Sequence, residues 1–186
     1  MFAGTAARYA SAVRRPRRYV SPAHHVWVRP SPDRLSPPGP DGRPRPPATY
    51  RVELGLTARG LRDVGDVTAV RGARPPAPVK SGAPLLCLDW EGYAVSAADE
   101  LYHAVWDNAA GSHVVTAPVS GVLREIRALA PEEDVDEADV LAVVISKKEE
   151  MERAVGGWVS EEEYDKIVAE EEAEEAEGER EEGTRE

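Results

Sequence analysis

Apolar and polar residues between Thr49 and Val159 change places over short distances, and most of that patterning has the period of a strand. Tyr50-Arg-Val-Glu-Leu-Gly-Leu56 alternates, as a half-buried strand does. Val67-Thr-Ala-Val70 is short and β-branched, and Ala83-Pro-Leu-Leu-Cys-Leu88 has the continuous apolar run of a buried strand. Val114-Val-Thr116, Val122-Leu-Arg-Glu-Ile126 and Val140-Leu-Ala-Val-Val-Ile145 predict three more. Gly65-Asp66, Gly72, Ser81-Gly82 and Pro118-Val-Ser-Gly121 punctuate these runs as turns. Many short strands at turn-spaced intervals predict a mainly β (α+β) sandwich or barrel with short helices, and argue against βαβ units.

Helical signals come late. Ser146-Lys-Lys-Glu149 and Ser160-Glu-Glu-Glu163 each place Ser three residues before Glu, the spacing with which a serine caps a helix and the glutamate caps it in return. The first helix is expected to stop at Gly156-Gly157. The second carries Tyr164, Ile167 and Val168 on one face; that face is two turns long, so fraying is expected beyond Ala169.

Charge separates the flanks from this body. The chain of 186 residues has a formal net charge of -11, and Glu161–Glu186 holds 14 acidic and 3 basic residues, which accounts for all of it. A neutral body with an acidic tail lacks the clustered cations of a phosphate-tracking surface, so direct DNA binding is not expected. Residues 1–23 contain Arg8, Arg14, Arg15, Arg17 and Arg18 and no acidic residue, the composition of a mitochondrial transit peptide or of a basic arm. Such an arm is the only segment suited to RNA. Eight of the 16 prolines fall between Arg29 and Pro47, so residues 29–48 read as an extended proline-rich loop. The expected organisation is thus 1–23, a domain over 24–159, and a short helix with an acidic tail over 160–186. No apolar run reaches the length of a membrane helix, and the single Cys87 cannot close an internal disulfide.

Chemistry-bearing patterns are sparse. No Gly-x-Ser-x-Gly elbow, phosphate-binding glycine loop or dinucleotide fingerprint occurs. Cys87, His103 and His113, with Asp99 or Glu100, match no zinc spacing, and Cys87 in its apolar run reads as a buried structural cysteine. His24 and His25 read as packing or capping residues, and Trp27, Trp90, Trp106 and Trp158 as core or interface anchors. No catalytic residue and no metal site are expected.

Several short motifs, taken in order, resemble the H-protein family of the glycine cleavage system. They are His25-Val-Trp-Val28; Gly55-Leu-Thr57 followed by Val64-Gly-Asp-Val67; Pro78-Val-Lys-Ser-Gly-Ala-Pro84; Ser96-Ala-Ala-Asp-Glu-Leu-Tyr102; Ala117-Pro-Val-Ser-Gly121; and the ending from Ile145-Ser146 to Glu161-Glu-Glu-Tyr164. The resemblance implies a barrel-sandwich hybrid of the lipoyl type, a hairpin displaying a lipoylated lysine, and a place in the mitochondrial matrix. Here the matching position is Ser96; counted from the turn before the hairpin it is Gly92, and from Pro118-Val-Ser-Gly121 it is Ala110. No lysine lies between Lys80 and Lys147, so no lipoate and no other cofactor is expected. His103 to Thr116 reads as an insertion on the hairpin, and Trp90, Tyr93, Tyr102 and Trp106 as a candidate protein interface beside the lost carrier position. The resemblance leaves two functional readings. One is a non-enzymatic architectural subunit of a mitochondrial assembly such as a ribosomal or respiratory complex. The other is a component of glycine cleavage itself, regulatory or carrying lipoate on an unusual lysine such as Lys80.

Overall fold

The structure is a computed structural model describing residues 17–33, 47–96, 105–130 and 133–182. Among the described residues the fold is mainly β with three helices, and the strands form two antiparallel sheets. In chain order the elements are β1 (Tyr19–Ser21), β2 (Val26–Pro32), β3 (Thr49–Leu56), α1 (Ala58–Val64), β4 (Asp66–Gly72), β5 (Ala77–Val79), β6 (Pro84–Ser96), β7 (Val105–Thr116), β8 (Gly121–Ile126), β9 (Ala142–Lys147), α2 (Lys148–Val155), β10 (Val159–Ser160) and α3 (Glu161–Glu182). The larger sheet runs β10-β1-β2-β3-β9-β8-β5, and the smaller β4-β6-β7.

Both sheets feed one core. Val52, Leu54 and Leu56 of β3 meet Leu86 and Leu88 of β6, Val115 of β7 and Leu123 of β8 there, all nearly inaccessible to water. Period-two alternation explains which residues enter it: Leu86 and Leu88 face the core, and Cys87 between them faces outward. Cys87 is therefore half-buried, and the expectation of a buried structural cysteine is corrected. On the far side of the large sheet, Val20, Trp27 and Tyr164 form a second cluster where α3 covers β1 and β2. That cover is why Val26, Trp27 and Val28 are all buried although adjacent side chains point to opposite faces.

Several expected boundaries move. Tyr19–Ser21, placed within the 1–23 arm, is a strand between β2 and β10. The proline-rich stretch begins as sheet: Pro30 and Pro32 pair opposite Val52 and Tyr50. They lie past Val28, the last β2 residue paired with β1, so proline's missing donor faces an unpaired edge there. Residues 34–46 of the expected loop lie outside the described residues. The 103–116 insertion includes the whole returning strand of the hairpin, because Val105–Thr116 pairs continuously with β6.

Of the two expected serine caps, one forms. Ser160 Oγ accepts from Glu163 N at 3.3 Å and Glu163 Oε2 accepts from Ser160 N at 3.1 Å, so the start of α3 is reciprocally capped. Ser146 instead lies within β9 and donates its hydroxyl to Ser120 O at 2.8 Å; α2 starts after Lys147 with no side-chain cap. A buried strand position beside an acceptor outcompetes the cap. Nor does α3 fray after Ala169: it continues to Glu182, since Glu, Ala, Lys and Arg are strong helix formers and Arg62 on α1 pairs with Glu172 at 2.8 Å. Among the described residues no helix is long and apolar enough to cross a membrane.

Candidate functional site

Strands β6 and β7, of 13 and 12 residues, form a hairpin far longer than the other strands. Its base is clamped by the two turns that flank it. Gly82 N donates to Ala117 O at 2.8 Å and Ala117 N to Ala83 O at 2.8 Å. Ser81 N donates to Ser120 Oγ at 3.1 Å, and Ser81 Oγ to Pro118 O at 3.2 Å. Leu86, Leu88 and Val115 anchor the lower part in the core. Farther out the ladder continues to Ser96 opposite Val105.

Trp90 marks the transition. It is half-buried against the core, and its ring lies so close to Gly111 that a Cβ there would come within 2.8 Å of it. On the neighbouring outward face Arg71 pairs with Asp89, and Ser112 Oγ donates to Asp89 Oδ1 at 2.7 Å. Those two partners, Arg71 first, hold the Asp89 carboxyl below the usual carboxylate range. Arg71 Nη2 also lies 3.9 Å from Cys87 Sγ.

Of the candidate interface residues, the ladder includes positions 90, 93 and 106. Tyr93 pairs opposite Asn108 and Trp106 opposite Val95, which puts positions 93 and 106 on one face of the ladder and position 90 on the other. Ser96 ends β6 opposite Val105, while Tyr102, His103, Asp99 and Glu100 lie outside the described residues. His113 is exposed on β7. Among the described residues no group of three or more His, Cys, Asp or Glu is placed to hold a metal ion.

A cleft of about 440 Å³ opens beside the hairpin base. One wall is the run His113–Thr116 of β7; the others are the turn before β2, α1 at Gly60 and Asp63, and Trp158. Behind it lies a polar chain that the sequence does not reveal, because its members come from three distant segments. His25 Nδ1 is 2.7 Å from Tyr164 Oη, Tyr164 Oη is 3.0 Å from Thr57 Oγ1, and His25 Nε2 is 3.8 Å from Asp63. Thr57 caps α1 by accepting from Gly60 N at 3.1 Å and gives its own hydrogen to His25 O at 3.1 Å. Tyr164 must then donate to Thr57 and accept from His25, which fixes the proton on Nδ1. With its hydrogen committed and its oxygen used as a cap, Thr57 is not a free nucleophile. The chain instead ties α3 to α1 and to the turn where His25 takes a left-handed φ of 50°. Burial raises the Tyr164 phenol above its ordinary value. Tyr164→Phe leaves His25 and Thr57 each short of a partner and is expected to cost about 1.5 kcal/mol, read from urea unfolding. An unchanged midpoint would refute the tie.

The exposed carboxylates also set acid sensitivity. Arg51 lowers Glu125, and the backbone N–H groups of Ala130 and Ser160 lower Glu133 and Glu163. A carboxyl whose folded value is depressed stabilises the fold above its unfolded value and loses that contribution as pH falls through the folded one. The melting temperature is therefore expected to be level between about pH 7 and 5 and to decline below about pH 4. A decline already complete at pH 5 would assign acid sensitivity to other groups.

No family model, curated protein or solved structure matches the chain.

Proposed function

We propose that this protein is a lipoate-free relative of the glycine cleavage H-protein, serving as a non-enzymatic binding or architectural subunit of a mitochondrial multiprotein assembly. One observation carries the reading. The motif match puts the family's carrier position at Ser96, the last residue of β6; counted from the turn before the hairpin it falls at Gly92, and from the turn after at Ala110. The ladder sets Glu91 opposite Ala110 and Gly92 opposite Ala109, so the two counts arrive at adjacent rungs from opposite sides. The position where the family's hairpin turns and presents its lysine here lies inside a continuous ladder. Four further rungs follow, from Tyr93–Asn108 to Ser96–Val105. A long-stemmed primary amine at the tip has been exchanged for a longer arm bearing Tyr93 and Trp106.

Other features agree with this reading. Two sheets share one core, and the turns at Ser81 and Ser120 grip each other, as suits a barrel-sandwich hybrid with related halves. The short helix after Gly55-Leu-Thr57 is present as α1. The arginine-rich, acid-free opening supports import into the matrix. Lys80, the alternative carrier, sits in the turn at the hairpin base, its carbonyl accepting from Ala83 N at 3.0 Å, where a swinging cofactor has no reach.

Peptide mass spectrometry of the protein isolated from mitochondria tests the cofactor half of the proposal. All four lysines, Lys80, Lys147, Lys148 and Lys166, are expected without lipoate. A lipoyl adduct on any of them would restore the carrier reading and overturn this one.

A further inference from the structure

The folded body takes hold of the chain at Arg18. The guanidinium stacks over Trp27 with its central carbon 4.4 Å from the ring centroid, Nη1 donates to Glu161 Oε1 at 3.1 Å, and the side chain is 19% exposed. β1 then lies between two neighbours: Tyr19 pairs with Val28 on one side and Ser160 on the other, and Val20 with Trp27 and Val159. Val20 packs with Trp27 and Tyr164, and the Ser21 carbonyl accepts from His25 N at 2.9 Å. Removing residues 1–23 as one piece would pull out the strand that joins β10 to β2 and strip Trp27 of Arg18 and Val20. Arg17, by contrast, is exposed and belongs to no described strand. This change from held to unheld chain falls on a distinctive sequence. Arg14-Arg15 and Arg17-Arg18 are the only adjacent arginine pairs in the 186 residues, and they stand directly before β1.

We infer that this arginine run is a proteolytic processing site, cut at a bond within Arg14–Arg18 by an arginine-directed endopeptidase, so that the mature chain keeps Arg18. The C–N bond of one amide breaks, and water supplies the hydroxyl to the new carboxylate and the proton to the new ammonium. Susceptibility to cleavage follows the burial and hydrogen bonding of the backbone attacked. β1 has both edges paired and cannot enter a protease cleft without opening the sheet, whereas the chain up to Arg17 can be cut without disturbing it. An endopeptidase pocket lined by carboxylates reads a guanidinium as a planar fork of donors, and four arginines within five residues offer it repeated chances to engage. The segment upstream has no acidic residue and Arg8 as its one arginine, which suits a piece removed after import. This inference rests on the mitochondrial location proposed above, and it shortens the removable arm from 1–23 to at most 1–17.

The full chain, tagged at its C-terminus, is expressed in cells and isolated, and its first residue is read by mass spectrometry after labelling of α-amines. A mitochondrial chain that begins between residues 15 and 18 is expected. One that begins before residue 15, or at Tyr19 or beyond, overturns the inference and leaves the proposed location standing. A chain recovered intact outside mitochondria overturns both. Incubation of the purified full chain with a mitochondrial matrix extract removes the need for import, and is expected to release the arm while the rest of the chain from Arg18 onward resists. Changing Arg14, Arg15 and Arg17 together to Gln is expected to slow that release roughly tenfold or more. The circular dichroism spectrum is expected to stay unchanged, because the body's contacts begin at Arg18. An unaltered rate of release in this variant overturns recognition of the arginines.

Discussion

Trp27→Ala is expected to destabilise the fold by about 4 kcal/mol, the largest effect of any single substitution considered for this chain. Trp27 is 1% exposed although it sits on the side of the large sheet opposite the main core. Its ring packs with Val20 and Tyr164 under α3, and Nε1 donates to Glu137 O at 3.0 Å. The Arg18 guanidinium stacks over it with its central carbon 4.4 Å from the ring centroid. Gly55, across from it on β3, has no side chain because a Cβ there would fall 2.5 Å from the indole. The backbone is thus shaped to that ring, and truncation opens a cavity that β2 and β3 cannot close. The same change loosens α3, since Tyr164 and Trp27 share one cluster. Urea unfolding followed by far-ultraviolet circular dichroism measures the loss; a cost below about 1 kcal/mol would mean that α3 does not pack as described.

Cutting the hairpin back has the opposite signature, a large effect on association with little effect on folding. Replacing residues 93–108 by Asn-Gly joins Gly92 to Ala109 through a two-residue turn of the kind favoured between paired strands. The core-facing residues Leu86, Leu88 and Val115 and the clamp at Ser81 and Ser120 remain. The melting temperature is expected to stay within about 5 °C of the parent, because these core residues are kept. Recovery of partner proteins is expected to fall to background. Undiminished recovery would move the binding surface elsewhere on the molecule.

Much of the strand content was legible from periodicity. The β3 alternation from Tyr50 to Leu56 and the runs around Val122 and Val140 become β3, β8 and β9 with only end residues shifted. What was not legible depended on partners distant in sequence. Cys87 looked buried because its neighbours are apolar, yet alternation in a long hairpin turns it to the outward face. Ser146 fits a capping pattern, and only the approach of Ser120 O makes it a strand residue instead. Val114-Val-Thr116 reads as a strand from its β-branching, but the rest of the 103–116 insertion, poor in such residues, does not; continuous pairing with β6 makes Val105–Thr116 one strand. The polar chain through His25, Thr57 and Tyr164 joins positions up to 139 residues apart, and no spacing rule reaches that far. Pairing register likewise depends on the partner strand: the ladder puts position 90 on one face and positions 93 and 106 on the other.

The proposed exchange of a carrier arm for a binding arm is tested by affinity purification. The tagged protein is recovered from mitochondria at native salt, in full-length form and with residues 93–108 replaced, and the accompanying proteins are quantified by mass spectrometry. A defined large assembly is expected with the full-length chain, its loss with the shortened hairpin, and no glycine decarboxylase with either. Recovery of glycine decarboxylase and its partner enzymes, unaffected by the shortened hairpin, would contradict it.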